Sequence, residues 1–281
     1  MKTLKHLSIL FVTILIFSCS TDDGTNPVNT DDLNNLEKIQ ELSNDSHIVE
    51  LYSESSILQQ GYNAISLRIK DKNSNNFVTD ASINWNPMMF MTDKQHSCPK
   101  SEVVKSVGKQ NLYNGYIIFQ MASNDSEYWE LTIDYSINGS DYSVSETILV
   151  EPSDKQRVTS FMGADNVRYV LAIVEPSSPA VAVNDITVGL FKMQNMMNFS
   201  VVDDYTIKID PRMPSMGNHG SPNNVDLTQK ADEFYHGKLS LTMTGYWKIN
   251  LQLLNQTNEV LKGEEVTGEN ESSSLYLEIE F

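Results

Sequence analysis

The chain has 281 residues, a length that predicts about two domains, and its 20 Lys and Arg against 37 Asp and Glu give a formal net charge of -17. This balance argues against a nucleic-acid partner, because phosphate backbones are bound by clustered basic residues. Hydrophobic residues make up 40% of the chain, which is enough apolar material for packed cores and excludes wholesale disorder.

Residues 1–18 carry Lys2 and Lys5 ahead of an apolar run. The run is too short to cross a bilayer, so it predicts a secretory signal peptide rather than a transmembrane helix. The sequence Ile16-Phe17-Ser18-Cys19 resembles the bacterial lipobox, in which an aliphatic residue lies three positions before a cysteine and a small residue lies just before it. This resemblance implies that Cys19 is lipidated and anchors the protein in a membrane.

Residues 19–45 are rich in Asp, Asn, Thr and Ser, a composition that predicts a flexible tether. Leucine and isoleucine recur at every third residue from 33 to 42, which predicts a short helix inside it. The Ser20-Thr21-Asp22-Asp23 stretch is similar to the surface-export signal of Bacteroidetes lipoproteins. We therefore expect an outer-membrane lipoprotein that faces either the periplasm or the cell surface.

Beyond the tether, short runs of alternating apolar and polar residues predict a mainly β structure. Residues 47–69 align without a gap with residues 168–190, which places Asn63 opposite Asn184. The order continues at a spacing of about 120 residues through further matched positions: Pro87 and Pro211, His96 and His219, Pro99 and Pro222, Gly115 and Gly237, Met121 and Met243, Trp129 and Trp247. The pattern predicts two tandem immunoglobulin-like β-sandwich domains, over residues 46–152 and 158–281, with the tryptophans as core anchors.

Methionine and histidine concentrate in two segments bounded by matching prolines, residues 87–99 and 211–222. Thioether and thiolate ligands suit Cu(I), and imidazole suits copper in either oxidation state. The second segment places Met213, Met216 and His219 among prolines and glycines, which favour an irregular loop that folds three donors inward. The first segment offers Met89, Met91, His96 and Cys98.

Met121 and Met243 each end a predicted strand, where a fourth donor could come from the edge of the sandwich. Both share the parity of apolar strand neighbours, so the alternative is that they are ordinary core methionines. With Cys19 lipidated, Cys98 has no partner thiol, and it either packs as a small hydrophobic residue, binds metal or joins two chains. His236 is a weaker candidate ligand, and His47 is expected to be a strand residue only.

Zinc is the competing metal, because His96 and Cys98 are both zinc ligands and Asp93 lies nearby. A second alternative needs no metal at all. Flexible methionine side chains fill irregular gaps well, so the two segments could pack against a neighbouring domain.

The segment PRMPSMGNHG at residues 211–220, with Tyr235-His236-Gly237 and the strand around Trp247, is similar to the YtkA-like domain family, which resembles FixH-type proteins. The similarity covers residues 186–252. It implies a small extracytoplasmic β-sandwich associated with copper handling, and within the motif it points to Met213, Met216 and His219.

The first copy fits this pattern more loosely. Met89 aligns with Met213, whereas Met91 is out of step with Met216 by one position. Cys98 stands where the second copy has Ser221. This divergence implies that the two copies can differ in the ion they bind or in their affinity for it.

The sequence lacks the common hydrolase, metalloprotease, P-loop and dinucleotide-binding motifs, so we expect no enzymatic activity. The leading hypothesis is a lipid-anchored extracytoplasmic copper-binding protein that carries Cu(I) or Cu(II) and passes it to a metal-receiving protein by ligand exchange. The alternative is a cell-surface pair of immunoglobulin-like modules that bind or adhere, with purely structural Met/His loops and no metal.

Overall fold

The structure, a computed structural model, describes residues 33–281, so the predicted signal peptide, Cys19 and most of the predicted tether lie outside the described residues. This part of the chain consists of β-strands with one short 3₁₀ turn, Pro214–Met216, and contains no α-helix. The predicted all-β fold class is confirmed. No helix long and apolar enough to span a bilayer occurs between residues 33 and 281.

The strands of the first half are short and closely spaced. They are β1 (Glu37–Ser43), β2 (His47–Ser53), β3 (Leu58–Gln59), β4 (Gly61–Asp71), β5 (Ser82–Phe90), β6 (Gln95–His96), β7 (Val104–Lys105), β8 (Tyr113–Phe119), β9 (Tyr128–Ile137), β10 (Ser140–Ile148) and β11 (Val150–Glu151).

Two antiparallel sheets form the first sandwich, with the orders β1-β2-β4-β8-β7 and β10-β9-β5-β6. When the strands are lettered by their order in the chain, the β2-β4-β8-β7 sheet corresponds to the ABED sheet of an immunoglobulin fold, and β10-β9-β5 corresponds to its GFC sheet. β3 and β11 add a short parallel pair. The strand pairing therefore has the immunoglobulin-like topology that was predicted.

The alternation of apolar residues explains why these segments are strands. In β9, Trp129, Leu131, Ile133 and Tyr135 are buried, whereas the residues between them are half-buried or exposed. Successive side chains of a strand point to opposite faces, so this parity gives one core face. Trp247 on the matching strand is likewise fully buried, and both tryptophans are core anchors as predicted.

The strands of the second half follow after Pro152-Ser153-Asp154. They are β12 (Val158–Met162), β13 (Arg168–Glu175), β14 (Val183–Met193), β15 (Phe199–Val201), β16 (Thr206–Met213), β17 (His219–Gly220), β18 (Val225–Gln229), β19 (Tyr235–Ser240), β20 (Tyr246–Leu254), β21 (Val260–Lys262) and β22 (Leu275–Glu280).

The second half repeats the pairing of the first. β13-β14-β19-β18 matches β2-β4-β8-β7, and β22-β20-β16-β17 matches β10-β9-β5-β6. One difference is that β18 pairs with β16 as well as with β19, so the two faces of the second sandwich are joined into a single continuous sheet. Each half has its own hydrophobic core, one around Trp129 and the other around Trp247.

The helix predicted within residues 33–42 is wrong. Residues 33–35 form a turn, and Glu37–Ser43 form β1, which pairs antiparallel with β2. Leu42 is fully buried in the first core, so the sandwich already begins inside the segment that the sequence assigned to the tether. Pairing with a neighbouring strand outweighs the helical spacing of a segment this short.

A third apolar cluster lies where the two halves meet, between the outer faces of their sheets. Its buried members are Ile118 of β8 and, from the second half, Val158, Val170, Ala172 and Phe191. Polar contacts accompany it, since the backbone N–H of Ser97 donates to the carbonyl of Met196 at 2.8 Å and the amide of Gln120 lies 3.4 Å from the hydroxyl of Ser160. We call this contact region the seam.

Candidate functional site

A methionine and a histidine are directly paired at the same place in both sandwiches. Met89 at the end of β5 is opposite His96 in β6, and Met213 at the end of β16 is opposite His219 in β17. Directly opposite residues of an antiparallel pair project from the same face of the sheet. The fold therefore brings together one thioether and one imidazole of each predicted segment.

In the first sandwich the paired histidine is held in a defined orientation. His96 is 8% exposed, and its Nδ1 lies 2.7 Å from the carbonyl oxygen of Ser97. A carbonyl only accepts hydrogen bonds, so Nδ1 carries the proton and the lone pair of the neutral ring is on Nε2. Histidine ligands of metals are commonly fixed by such a bond from the other ring nitrogen.

Trp129 lies beside this pair. Its ring meets that of His96 edge to face, with 5.6 Å between the centroids, and Trp129 is also the register partner of Met89. The indole N–H donates to the carbonyl of Met121 at 2.9 Å. The predicted donors of the first copy lie in or beside the core around Trp129. Met89 and Cys98 are buried in it, Met91 and Met121 are partly buried against it, and His96 is buried beside the Trp129 ring.

Cys98 is a free, buried thiol that is 2% exposed and belongs to the hydrophobic core of the first sandwich. Burial raises the pKa of this thiol well above its usual value, and the nearby positive charge of Lys100 opposes only part of that shift. Cysteine reacts and binds metal as the thiolate, so the surroundings favour its unreactive form.

The second copy separates the donors that the sequence grouped together. Met213 is 2% exposed, whereas Met216 is 57% exposed on the 3₁₀ turn and His219 is exposed on its short edge strand. Gly217, at a φ of 64°, reverses the chain between them. Met243 is partly buried, and its carbonyl accepts a 3.0 Å bond from the indole of Trp247, just as Met121 does from Trp129.

Sequence reasoning missed a further group of sulfur donors, Met193, Met196 and Met197. They lie on the hairpin between β14 and β15, whose tip reaches the first sandwich through the bond from Ser97 N–H to the Met196 carbonyl. Met196 and Met197 are 37% and 43% exposed. The available signal was the methionine-rich run at residues 193–197, which lies outside the proline-bounded segments.

The other described histidines and Asp93 lie outside the two Met–His pairs. The ring of His47 is buried in β2 against Tyr135 and Tyr142. His236 uses both ring nitrogens, with Nε2 at 2.9 Å from a carboxylate oxygen of Asp232 and Nδ1 at 3.2 Å from the hydroxyl of Thr187. Asp93 is exposed in the turn between β5 and β6. Within residues 33–281, no three side chains of His, Cys, Asp or Glu cluster as a metal-binding group.

No protein-family model matches the chain, and no curated protein matches it. Among solved structures, a chimeric titin Z1Z2-Z1Z2 tandem functionalised with a GRGDS peptide from fibronectin aligns over 79% of this chain and 93% of its own, with 10% identity and a TM-score of 0.18. A score this low carries no functional argument, so the site must be judged on its own chemistry.

Proposed function

We propose that this protein is a lipid-anchored extracytoplasmic copper-binding protein whose principal site lies at the Met89–His96 end of the first sandwich. The observation that carries the proposal is the cross-strand Met–His pair, which recurs at Met213 and His219. The anchoring part rests on the lipobox-like sequence at Cys19 and on the preceding signal-like segment.

Cu(I) is the ion that suits this donor set. Thioethers and imidazole are soft or borderline ligands, and the neutral thioethers cost little to bury when no metal is bound. The His96 ring presents Nε2 while its Nδ1 is fixed by the Ser97 carbonyl. A bound cation near Trp129 would also be attracted by the negative face of the indole.

The hairpin bearing Met196 and Met197 supplies a route for exchange. These side chains are more exposed than Met89 and His96, and they come from the other sandwich. Copper captured by exposed thioethers can move to more buried donors by ligand exchange, and the reverse order releases it to a metal-receiving protein. The net charge of -17 raises the local cation concentration and favours a basic partner.

The test is a Cu(I) titration of the purified full chain against a chromogenic competitor. Met89→Leu removes the thioether at nearly constant volume, and His96→Asn removes the imidazole, so the core is kept largely intact. We expect each change to weaken binding at least about tenfold, because each removes one side chain that coordinates the ion directly and contributes more than about 1.4 kcal/mol. Matched changes in the second copy, Met213→Leu and His219→Asn, should have smaller effects.

Three outcomes would count against the proposal. Unchanged affinity in both first-copy variants would exclude this site, and a larger loss in the second-copy variants would move it to Met213 and His219. Failure of the parent chain to compete for Cu(I) at micromolar protein would reject copper binding altogether.

The second candidate function is a surface binding or adhesion module without metal. The observation that favours it is the burial of Met89, Met213 and Cys98 in hydrophobic cores, where methionine and cysteine commonly serve as packing residues. This reading predicts that Met89→Leu and Met213→Leu leave stability within about 1.5 kcal/mol of the parent and that the parent ignores copper.

A further inference from the structure

A large open cleft lies beside the seam, between the outer face of the first sandwich and the β14–β15 side of the second. Its volume is about 880 Å³, within the range of small-molecule sites, and such sites are common where two domains meet. The Met–His pairs do not line it. An occupant of this cleft would therefore be distinct from the ion of the proposed copper site.

Aromatic side chains from both sandwiches line the cleft. Tyr62 of β4 and Tyr116 of β8 have their ring centroids 5.4 Å apart, and Tyr116 lies 6.4 Å from Phe191 of β14. Phe234 packs behind them, 5.4 Å from Tyr116. Both tyrosines are only half-buried, so ring surface is available to a ligand.

The lining is also strongly acidic. It carries the exposed carboxylates of Glu54, Glu102, Asp232 and Glu233. The single cation among the described lining residues is Lys100, whose ammonium donates to the carbonyl of Trp85.

The negative charge of the carboxylates and the aromatic rings lie close together in the cleft. Burial, the neighbouring Tyr62 and the negative charge of Glu233 together raise the pKa of Tyr116 to about 12. Tyr116 therefore stays a neutral phenol at physiological pH, with a Glu233 charge close enough to affect it.

We propose that this cleft binds a small organic cation that carries a quaternary ammonium group. The cation would be held against the Tyr62 and Tyr116 rings and attracted by the four lining carboxylates, which we call the acidic rim. Rings attract a weakly hydrated cation through their negative faces, and desolvation at a partly enclosed site strengthens the attraction. The surrounding carboxylates raise the local concentration of cations and accelerate their capture. A neutral ligand such as a sugar would gain nothing from the charge of the rim.

The experiment compares choline with 3,3-dimethylbutan-1-ol, its neutral isostere, by ligand-observed NMR titration of the full chain. We expect choline to bind at least about tenfold more tightly than the isostere, a difference of about 1.4 kcal/mol, because only the cation is attracted by the rings and by the lining carboxylates. Raising the salt concentration should weaken choline binding only, because the rim attraction is screened.

The variants test the two halves of the site separately. Tyr116→Leu should lower the preference for choline over the isostere from about tenfold to about threefold, the part that the lining carboxylates supply. Glu233→Gln, on an exposed turn, should weaken choline binding about threefold without changing the fold. Tyr128→Leu is the matched control, because Tyr128 is exposed and stacks on Phe90 away from the cleft. Equal binding of choline and its isostere, absence of choline binding, or a choline affinity that is unchanged in both cleft variants would overturn the proposal.

Discussion

Asn63 and Asn184 close the same turn in the two sandwiches. The amide of Asn63 donates to the carbonyls of Gln59 and Gly61 at 2.7 and 2.9 Å. The amide of Asn184 donates to those of Ala180 and Ala182, both at 2.9 Å. In each case the side-chain oxygen also accepts the backbone N–H four residues earlier in the chain. The two sandwiches therefore share a complete hydrogen-bonding unit at matching positions.

The first prediction concerns this pair. Asn63→Ala should lower the free energy of unfolding by about 1–3 kcal/mol. Asn63 is 9% exposed, so its backbone partners would lose their hydrogen bonds in a buried environment that water does not reach. Asn184 is more exposed, so water can replace its bonds and Asn184→Ala should cost less, about 0.5–1.5 kcal/mol. Urea unfolding of both variants checks the order, which an equal or reversed loss would contradict.

The second prediction concerns Gly115 in β8. A Cβ there would lie 2.5 Å from the Trp85 ring, so Gly115→Ala should destabilise the protein by about 1–3 kcal/mol through overpacking. Gly268→Ala is the control, since a Cβ at Gly268 would meet nothing within 4 Å and its backbone does not require positive φ. We expect the control to be within about 0.5 kcal/mol of the parent or slightly stabilising in thermal unfolding. A similar change in both variants would show that the Trp85 contact does not explain the glycine.

The third prediction concerns the thiol of Cys98. Its burial and raised pKa should make labelling by a soluble disulfide reagent at pH 8 at least about a hundredfold slower in the native protein than in urea-unfolded protein. A rate that rises only as the protein unfolds would agree with this. Rapid native labelling would show that the thiol is accessible, and it would reopen a role in metal binding or in joining chains.

The fourth prediction concerns pH. Burial lowers the pKa of His47, and Asp71, whose carboxylate lies 3.8 Å from Nε2, only partly opposes this shift. The unfolded chain therefore takes up a proton near pH 6.5 while the native chain does not, so stability is lost as pH falls below about 6.5. His47→Phe keeps an aromatic ring against Tyr135 and Tyr142 but cannot titrate. Its stability should fall less between pH 7 and pH 5, as measured by denaturant midpoints; an equal fall would reject the assignment to His47.

The strands that could be predicted from sequence are those in which apolar and polar residues alternate, because the alternation identifies the buried face. Trp129, Leu131 and Ile133 share one face by simple alternation, and the same reading applies to Trp85, Pro87 and Met89, all buried in β5. Parity separates the buried Met89 from the half-buried Met88. Met91 shares the parity of Met89 but lies one residue beyond the end of β5, and it is only half-buried. The β1 segment was misassigned because its apolar residues have a spacing that also fits a helical turn.

The contact between Ser97 and Met196 illustrates what sequence could not provide. It joins residues far apart in the chain, and it depends on how two folded sandwiches pack face to face. The cleft lined by Tyr62 and Phe191 arises in the same way. The hydrophobic period and the composition of a strand indicate which of its faces packs in its own core. They do not indicate how the outer face of one sandwich packs on the outer face of the other.

The seam couples the two copies thermodynamically. If either sandwich unfolded alone, Ile118 on one side or Val170 and Phe191 on the other would lose their cover and meet water. Each buried aliphatic or aromatic side chain adds about 1.5–3 kcal/mol to the cost of that half-unfolded species. The two sandwiches should therefore melt cooperatively, in a single calorimetric transition, rather than in two independent transitions.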